Sequence, residues 1–411
     1  MTLLIKDVIL NGKKTDIFIQ EGKIEKIGPK INKKAKQKID GKGEKAILPG
    51  LINAHTHTAM TLFRGMGEGL PLKEWLEKKI WPAEKNLSAE DVYWGTKLAC
   101  LEMIKTGTTC FNDMYWFQEA GFAAIKDMGL RAVIGLTLLD FNTWGNKENI
   151  IKSWEGFKKN KLPTISFSIA PHAIYTVCQE NLIWTKNFAK KNNLTLHLHL
   201  SETEKEVRDC LKKHKLRPVE YLDKLGFLNK NCVLAHTIWL SEKEIGILAK
   251  RKCSVVYNPG SNMKLASGFF PYNKIKKAKI NICLGTDGAA SNNNLDLFEE
   301  MKLGSLLQKV KEMDSTVAPA PEMLSLTTKN GAKALKMKMG QIKTGFLADV
   351  ILIDLNQVCL SPGHNLVSDL VYSCSGSCVS DLVCHGQILM RDGKIEQEKQ
   401  IINQIRKRIK K

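Results

Sequence analysis

Two histidines separated by one residue close a short apolar run, Pro49-Gly50-Leu51-Ile52-Asn53-Ala54-His55-Thr56-His57. In a β-strand, side chains at i and i+2 leave the same face, so both imidazoles can grip one cation if further ligands come from elsewhere. The chain offers them: His172, the pair His197 and His199, then His236 and Asp287. Three histidines and a carboxylate suit a borderline divalent ion such as zinc, with a position left for water. Bound to zinc, that water has its pKa lowered from about 15.7 to about 7, so hydroxide exists at neutral pH. Glu202, three residues beyond His199, is placed to take the proton and hand it to a substrate ring nitrogen. Beside Ser201 it would equally suit an ordinary helix start.

For such residues to meet, the chain must place them together. From residue 108 onward, apolar runs of strand length alternate with helix-length amphipathic segments. The strands are expected over 108–112, 131–136, 164–170, 194–200, 232–235, 254–257 and 280–285, and helices over 89–106, 179–191, 218–225, 241–251 and 296–312. Such alternation fits either a closed (β/α)8 barrel or an open doubly wound sheet. The polar residues decide for the barrel. They fall at the C-terminal ends of successive strands, which converge on one rim in a barrel but lie along a line in an open sheet. His199 stands nearer the rim than His197 and is the better ligand, with His197 in the layer beneath. The two ends of the chain read differently. Residues 1–50 alternate β-branched and polar positions with turns at Asn11-Gly12 and Glu21-Gly22, residues 348–354 read as a buried strand, and 382–394 as a hairpin turning at Arg391-Asp392-Gly393. The expected organisation is a small β-sandwich from residues 1–50 and 345–411, flanking a barrel over 51–344.

Composition narrows the partners. The formal charge of +20 arises from 62 Lys+Arg against 42 Asp+Glu, but the basic stretches at 32–38, 274–279 and 404–411 carry no interleaved aromatic residues on which bases could stack, so no nucleic-acid partner is expected. The 11 cysteines show no paired spacing, and Cys374 and Cys378 stand too far apart for a CxxC motif; they read as buried thiols of a reducing compartment. No signal peptide or membrane-length apolar run is evident, so a soluble cytoplasmic protein without a membrane partner is expected.

Four motifs in order carry a resemblance: the 49–57 stretch, His197-Leu198-His199-Leu200-Ser201-Glu202, Ala235-His236 and Leu284-Gly285-Thr286-Asp287 together resemble the amidohydrolase superfamily. Leu72-Lys73-Glu74-Trp75-Leu76 followed by Ile80-Trp81-Pro82-Ala83-Glu84 is similar to its 5'-methylthioadenosine/S-adenosylhomocysteine deaminase group, including archaeal 5'-deoxyadenosine deaminases. The resemblance covers almost the whole chain. It implies a metallo-barrel with a β-sandwich from both termini, one divalent metal ion per subunit, zinc before others, and hydrolytic deamination of an adenine nucleoside. It implies His55, His57, His199 and Asp287 as metal ligands and Glu202 as the proton shuttle to the adenine N1. His236 would steady the attacking water and the oxyanion, Asp287 would also relay a proton towards ammonia, Glu84 would hold the ribose hydroxyls, and His172 would touch substrate. A homo-oligomer is also implied. No lysine stands where binuclear relatives carry a bridging carboxylated lysine, which favours a single ion.

One departure bears on specificity. Relatives that use S-adenosylhomocysteine well carry an arginine in the loop after Leu136, whereas residues 137–158 contain none here. Losing that contact to the amino-acid carboxylate costs about 1.5–3 kcal/mol unless Lys147 substitutes, so a small neutral 5' end is expected. The rival readings are a free-base deaminase of guanine or cytosine type, disfavoured by Glu84, and an inactive barrel acting as a binding protein, disfavoured by the intact ligand set.

Overall fold

Eight short apolar segments pair in parallel and in chain order: Leu51–Thr56, Thr108–Tyr115, Arg131–Leu138, Ile165–Pro171, Thr195–Leu200, Cys232–His236, Ser254–Tyr257 and Asn281–Leu284. The computed structural model describes residues 1–141 and 144–409. Asn142 and Thr143, within the loop singled out for its lack of arginine, and Lys410 and Lys411 of the basic tail lie outside the described residues. Most strand residues are buried, as a parallel sheet covered by helices requires. The ends of the sheet meet where Asp287 N donates to His55 O at 3.0 Å and the Asn53 side chain bonds Thr286 on both its amide atoms. Gly285 permits this approach, since a Cβ there would stand 2.8 Å from the backbone N and O of His55. The result is the nearly closed barrel expected.

The expected helices appear as Ala89–Lys105, Gln179–Asn192, Pro218–Lys224, Glu242–Arg251 and Leu297–Glu312. Ser88 with Asp91, and Ser241 with Glu244, form capping boxes that fix two of their starts. Among the described residues no helix is long and apolar enough to cross a membrane.

Both termini share one mixed sheet. Lys45–Pro49 pairs in parallel with Thr2–Leu10 and antiparallel with Val350–Asp354, which continues to Val379–Cys384 and Gln387–Met390; on the other side Thr2–Leu10 pairs with Lys13–Gln20 and then Lys23–Gly28. Ala348 N donating to Gly22 O at 2.8 Å turns the sheet back on itself, around a core that includes Leu3, Ile5, Ile17, Ile19, Ile47, Val350 and Leu352. The buried Arg131 guanidinium joins this sheet to the barrel, bonding both Asp349 oxygens at 2.5 and 3.1 Å. One expectation needs correcting. The last hairpin turns at His385-Gly386 (φ 51° and 76°), not at Arg391-Asp392-Gly393, which forms a separate tight turn closed by an Arg391 and Lys394 bridge. Both pairs adopt the left-handed backbone that tight hairpins need, but Asp-Gly is the stronger sequence signal and masked the earlier turn. Beyond the strands, Glu398–Ile409 is a helix packed on Ala89–Lys105.

Candidate active site

The first barrel strand delivers His55 at its end and His57 just beyond; the fifth delivers His197 and His199, the sixth His236, and the turn after the eighth Asp287. Ser201, His236 and Asp287 hold left-handed φ values of 50°, 70° and 61°. Such backbone costs about 1–3 kcal/mol per residue and collects at functional sites.

Hydrogen bonds on the far side of each ring set where the protons sit. His57 Nδ1 donates to Met114 O at 2.6 Å and His199 Nδ1 to His172 O at 2.8 Å. His197 Nδ1 donates to Val233 O at 2.8 Å, so its Nε2 accepts from His55 Nδ1, also at 2.8 Å. Each neutral ring of His55, His57 and His199 therefore turns an unprotonated Nε2 inward. His57 Nε2 and His199 Nε2 face each other at 3.2 Å with no hydrogen to share, His55 Nε2 is buried without a hydrogen-bond partner, and Asp287 Oδ1 lies 3.3 Å from His55 Nε2 and 3.1 Å from His57 Nε2. Lone pairs and a carboxylate oxygen converging on one buried point fit a divalent cation. The local field agrees. Burial pulls the His57 pKa down, but Asp287, together with the Met114 carbonyl and Asp113, raises it above the ordinary value, so these groups call for positive charge at this spot. Asp287 Oδ2 is held by the hydroxyls of Ser261 at 2.7 Å and Ser291 at 2.9 Å.

His236 also brings a ring nitrogen within 4.8 Å of ligand atoms of His55, His199 and Asp287, yet its tautomer differs. The side-chain amides of Asn262 and Asn258 face His236 Nδ1 at 2.8 and 3.3 Å, leaving its proton on Nε2, which points towards Glu202 Oε2 at 3.8 Å. So protonated, it donates rather than ligates. Glu202 accepts from Ser267 Oγ at 3.2 Å, and burial, then Asp287 and Glu206, push its pKa well above the carboxylate range.

One cavity opens from this cluster. Glu84, Tyr115, Trp116, His172, Glu202, His236 and Asp287 all line it, with an apolar wall of Met60, Leu72, Trp75, Leu76, Trp81 and Leu265. Most of the wall and Glu84 come from Leu72–Trp75, Leu76–Ile80 and Trp81–Glu84, a continuous helical stretch whose middle turn is a π-helix; π turns recur at functional sites. Glu84 Oε1, Tyr115 Oη and Trp116 Nε1 are buried, and no contact among them has good hydrogen-bond geometry, although Tyr115 and Trp116 are near enough to Glu84 to donate weakly. Burial raises the Glu84 pKa to about 7, opposed in part by Tyr115 and Trp116. His172 Nδ1 pairs with Thr176 Oγ1 at 2.9 Å, and burial lowers its pKa to about 3, keeping it neutral. Lys147 is turned away from substrate duty: its Nζ lies 3.0 Å from Glu180 Oε1 and over the Trp184 ring.

The structure thus gathers all eight residues expected from the sequence around one cavity or its floor. The sequence reading missed the residues that set their protons and orientation: Asn258, Ser261 and Asn262, Ser267, Ser291, Tyr115 and Trp116. The run Asn258-Pro259-Gly260-Ser261-Asn262 directly after the seventh strand was the available signal, a polar cluster at a barrel rim.

The chain is similar to known proteins along almost its whole length. A 5'-deoxyadenosine deaminase of Methanoregula boonei is 46% identical, covering 98% of this chain and 93% of the relative. A 5-methylthioadenosine/S-adenosylhomocysteine deaminase of Thermococcus sibiricus is 44% identical, covering 95% and 94%. The crystal structure of an adenosine deaminase from Xanthomonas campestris with bound zinc superposes with a TM-score of 0.93 at 34% identity, covering 98% of this chain and 97% of that one. Residues 46–389 match the Amidohydrolase family, and with its barrel, rim and inward-facing imidazoles the chain belongs to that family.

Proposed function

We propose that this protein is a metal-dependent deaminase that hydrolyses an adenine nucleoside to its inosine analogue and ammonia. The observation that carries the reading is a single cavity holding the lone-pair cluster at one end, buried Glu202 beside it, and buried Glu84 at the other. His55, His57, His199 and Asp287 are the residues assigned to hold the ion, zinc as in the Xanthomonas relative. When bound, the ion supplies a water of lowered pKa as nucleophile. Burial and the neighbouring carboxylates Asp287 and Glu206 favour the protonated form of Glu202, which gives that proton to N1 of the adenine and makes C6 electrophilic. His236 donates from Nε2 to the oxygen that adds at C6. Asp287 takes the proton of the attacking water and relays it towards the departing amine. Glu84 accepts from the ribose hydroxyls, and His172 contacts the substrate from the fourth strand.

The 5' end follows from the cavity wall. It is apolar, and among the described lining residues none is lysine or arginine, while Lys147 is engaged by Glu180. A small neutral 5' group, as in 5'-deoxyadenosine or 5'-methylthioadenosine, is the preferred reading. We further assign the barrel to 51–344 and the flanking sheet to 1–50 and 345–411, supported by the pairing of Lys45–Pro49 with Val350–Asp354. A cytoplasmic location is supported by eleven free cysteines. A homo-oligomer is supported by Leu306 and Val310 on the helix Leu297–Glu312 and Met313 just beyond it, exposed by 44%, 70% and 88%, and is checked by light scattering.

The test is a substrate panel on metal-analysed protein, followed by the ultraviolet shift of deamination: adenosine, 5'-deoxyadenosine, 5'-methylthioadenosine, S-adenosylhomocysteine and guanine. Turnover of the nucleosides with a small 5' end, abolished by chelation, is the expected result. Guanine as the best substrate overturns the nucleoside assignment, a kcat/KM for S-adenosylhomocysteine far above the others overturns the neutral 5' end, and no turnover by zinc-loaded protein leaves an inactive barrel.

A further inference from the structure

Far from the histidine rim, three thiols meet that the linear spacing keeps apart. Cys359 lies in the turn Val358–Leu360, Cys374 just after the helix Leu366–Tyr372, and Cys378 ends the turn Gly376–Cys378. Their sulfurs all lie within 4.8 Å of one another, with Cys359 Sγ and Cys378 Sγ 3.4 Å apart. An ion bound tetrahedrally at about 2.3 Å from each sulfur sets its sulfurs about 3.8 Å apart, so the three need only small side-chain adjustments to share one.

The cluster is also reachable. Cys359 is exposed, and Cys378 borders a cavity of about 510 Å³ lined in part by Asp354 and Asp392. Its place in the fold separates it from the chemistry: a Cβ on Gly376 would stand 2.4 Å from the Thr106 side chain, two residues before the strand Thr108–Tyr115 begins, which is the barrel face opposite the rim. That face of such barrels serves stability.

We propose that Cys359, Cys374 and Cys378 form a second metal site, taking a thiophilic ion of the zinc or cadmium class through three thiolates and a fourth ligand from solvent. The ion joins three segments otherwise linked by few backbone bonds, a structural clamp at the edge where the terminal sheet meets the barrel. Binding releases one proton from each thiol still protonated.

Cadmium is the probe. Titrated into the chelated full-length protein, it gives a thiolate-to-metal charge-transfer band saturating at one equivalent. The His55→Ala/His57→Ala variant keeps the band. Cys359→Ser, an exposed change that leaves the core intact, weakens cadmium affinity at least tenfold, and Cys359→Ser/Cys378→Ser abolishes the band with deaminase turnover retained. No band in the parent protein, an unchanged band in both cysteine variants, or a Cys359 to Cys378 disulfide found by mass mapping in its place overturns the proposal. Because the band is read independently of turnover, the result stands apart from the deaminase assignment.

Discussion

The two ends of the active-site cavity are built in opposite ways. At the metal end each imidazole is locked by a partner behind it, Met114 O for His57, His172 O for His199 and His197 for His55, and both Asp287 oxygens are engaged. At the ribose end Glu84 Oε1, Tyr115 Oη and Trp116 Nε1 are buried with no well-formed hydrogen bond; Tyr115 and Trp116 lie close enough to Glu84 to act on it only as weak donors. Unpaired buried polar groups cost about 1–3 kcal/mol each. The difference teaches a division of labour: the reacting groups are preorganised before substrate arrives, and recognition is left unsatisfied until the substrate's hydroxyls complete it.

Four changes break or sharpen this contrast. Glu202→Gln removes the transferable proton and leaves the ligand rings untouched. It is expected to lower kcat by about 10²–10⁴-fold with metal content unchanged by mass spectrometry; full activity would sink the proton-shuttle role. His197→Ala frees the His55 tautomer without removing a ligand, and metal affinity should fall by about 10–100-fold, read by competition with a chelator; unaltered affinity would mean the wiring behind the rings is idle. Glu84→Gln should act at the other end, lowering kcat/KM for nucleosides by about tenfold or more while stabilising the substrate-free protein. The sign follows from the raised pKa of about 7. The folded state binds the Glu84 proton more tightly than the unfolded chain, so the carboxyl weakens the fold increasingly as pH rises from about 4.5 to 7. Above that window the variant should gain about 3 kcal/mol in denaturant unfolding, at about 1.36 kcal/mol per pH unit, and below pH 4.5 nothing. A gain over the parent no larger at pH 8 than at pH 4 contradicts the loosely held ribose end. The smallest effect is expected of Asn262→Ala, a positioning change that loosens the His236 tautomer: kcat falls by about tenfold with KM and metal content unmoved.

The parts legible in the sequence were those that repeat a spacing. His55-Thr56-His57 and His197-Leu198-His199 announce strand ends because period two places both rings on one face, and the alternation of strand and helix between them announces the barrel. The supporting groups were not legible, since Asn262, Ser261 and Ser267 act through single contacts that no periodicity marks. His197 shows the limit well. Its position beneath His199 was readable, but its bond to His55 depends on how strands one and five face each other across the barrel, which only closure decides. The thiol cluster was hidden for the same reason, because Cys359 lies 15 residues before Cys374 and joins it only through the fold.

The shared terminal sheet has a consequence for how the protein is made. Lys45–Pro49 is synthesised early, yet its antiparallel neighbour Val350–Asp354 emerges about 300 residues later, roughly 15–60 s at ordinary elongation rates. Through that interval one edge of the nascent sheet is an open template for strangers. Ribosome-bound chains shorter than 350 residues therefore expose that edge throughout, and the residues from 350 onward, remote from every reacting atom, decide whether the first strands survive to cover the barrel.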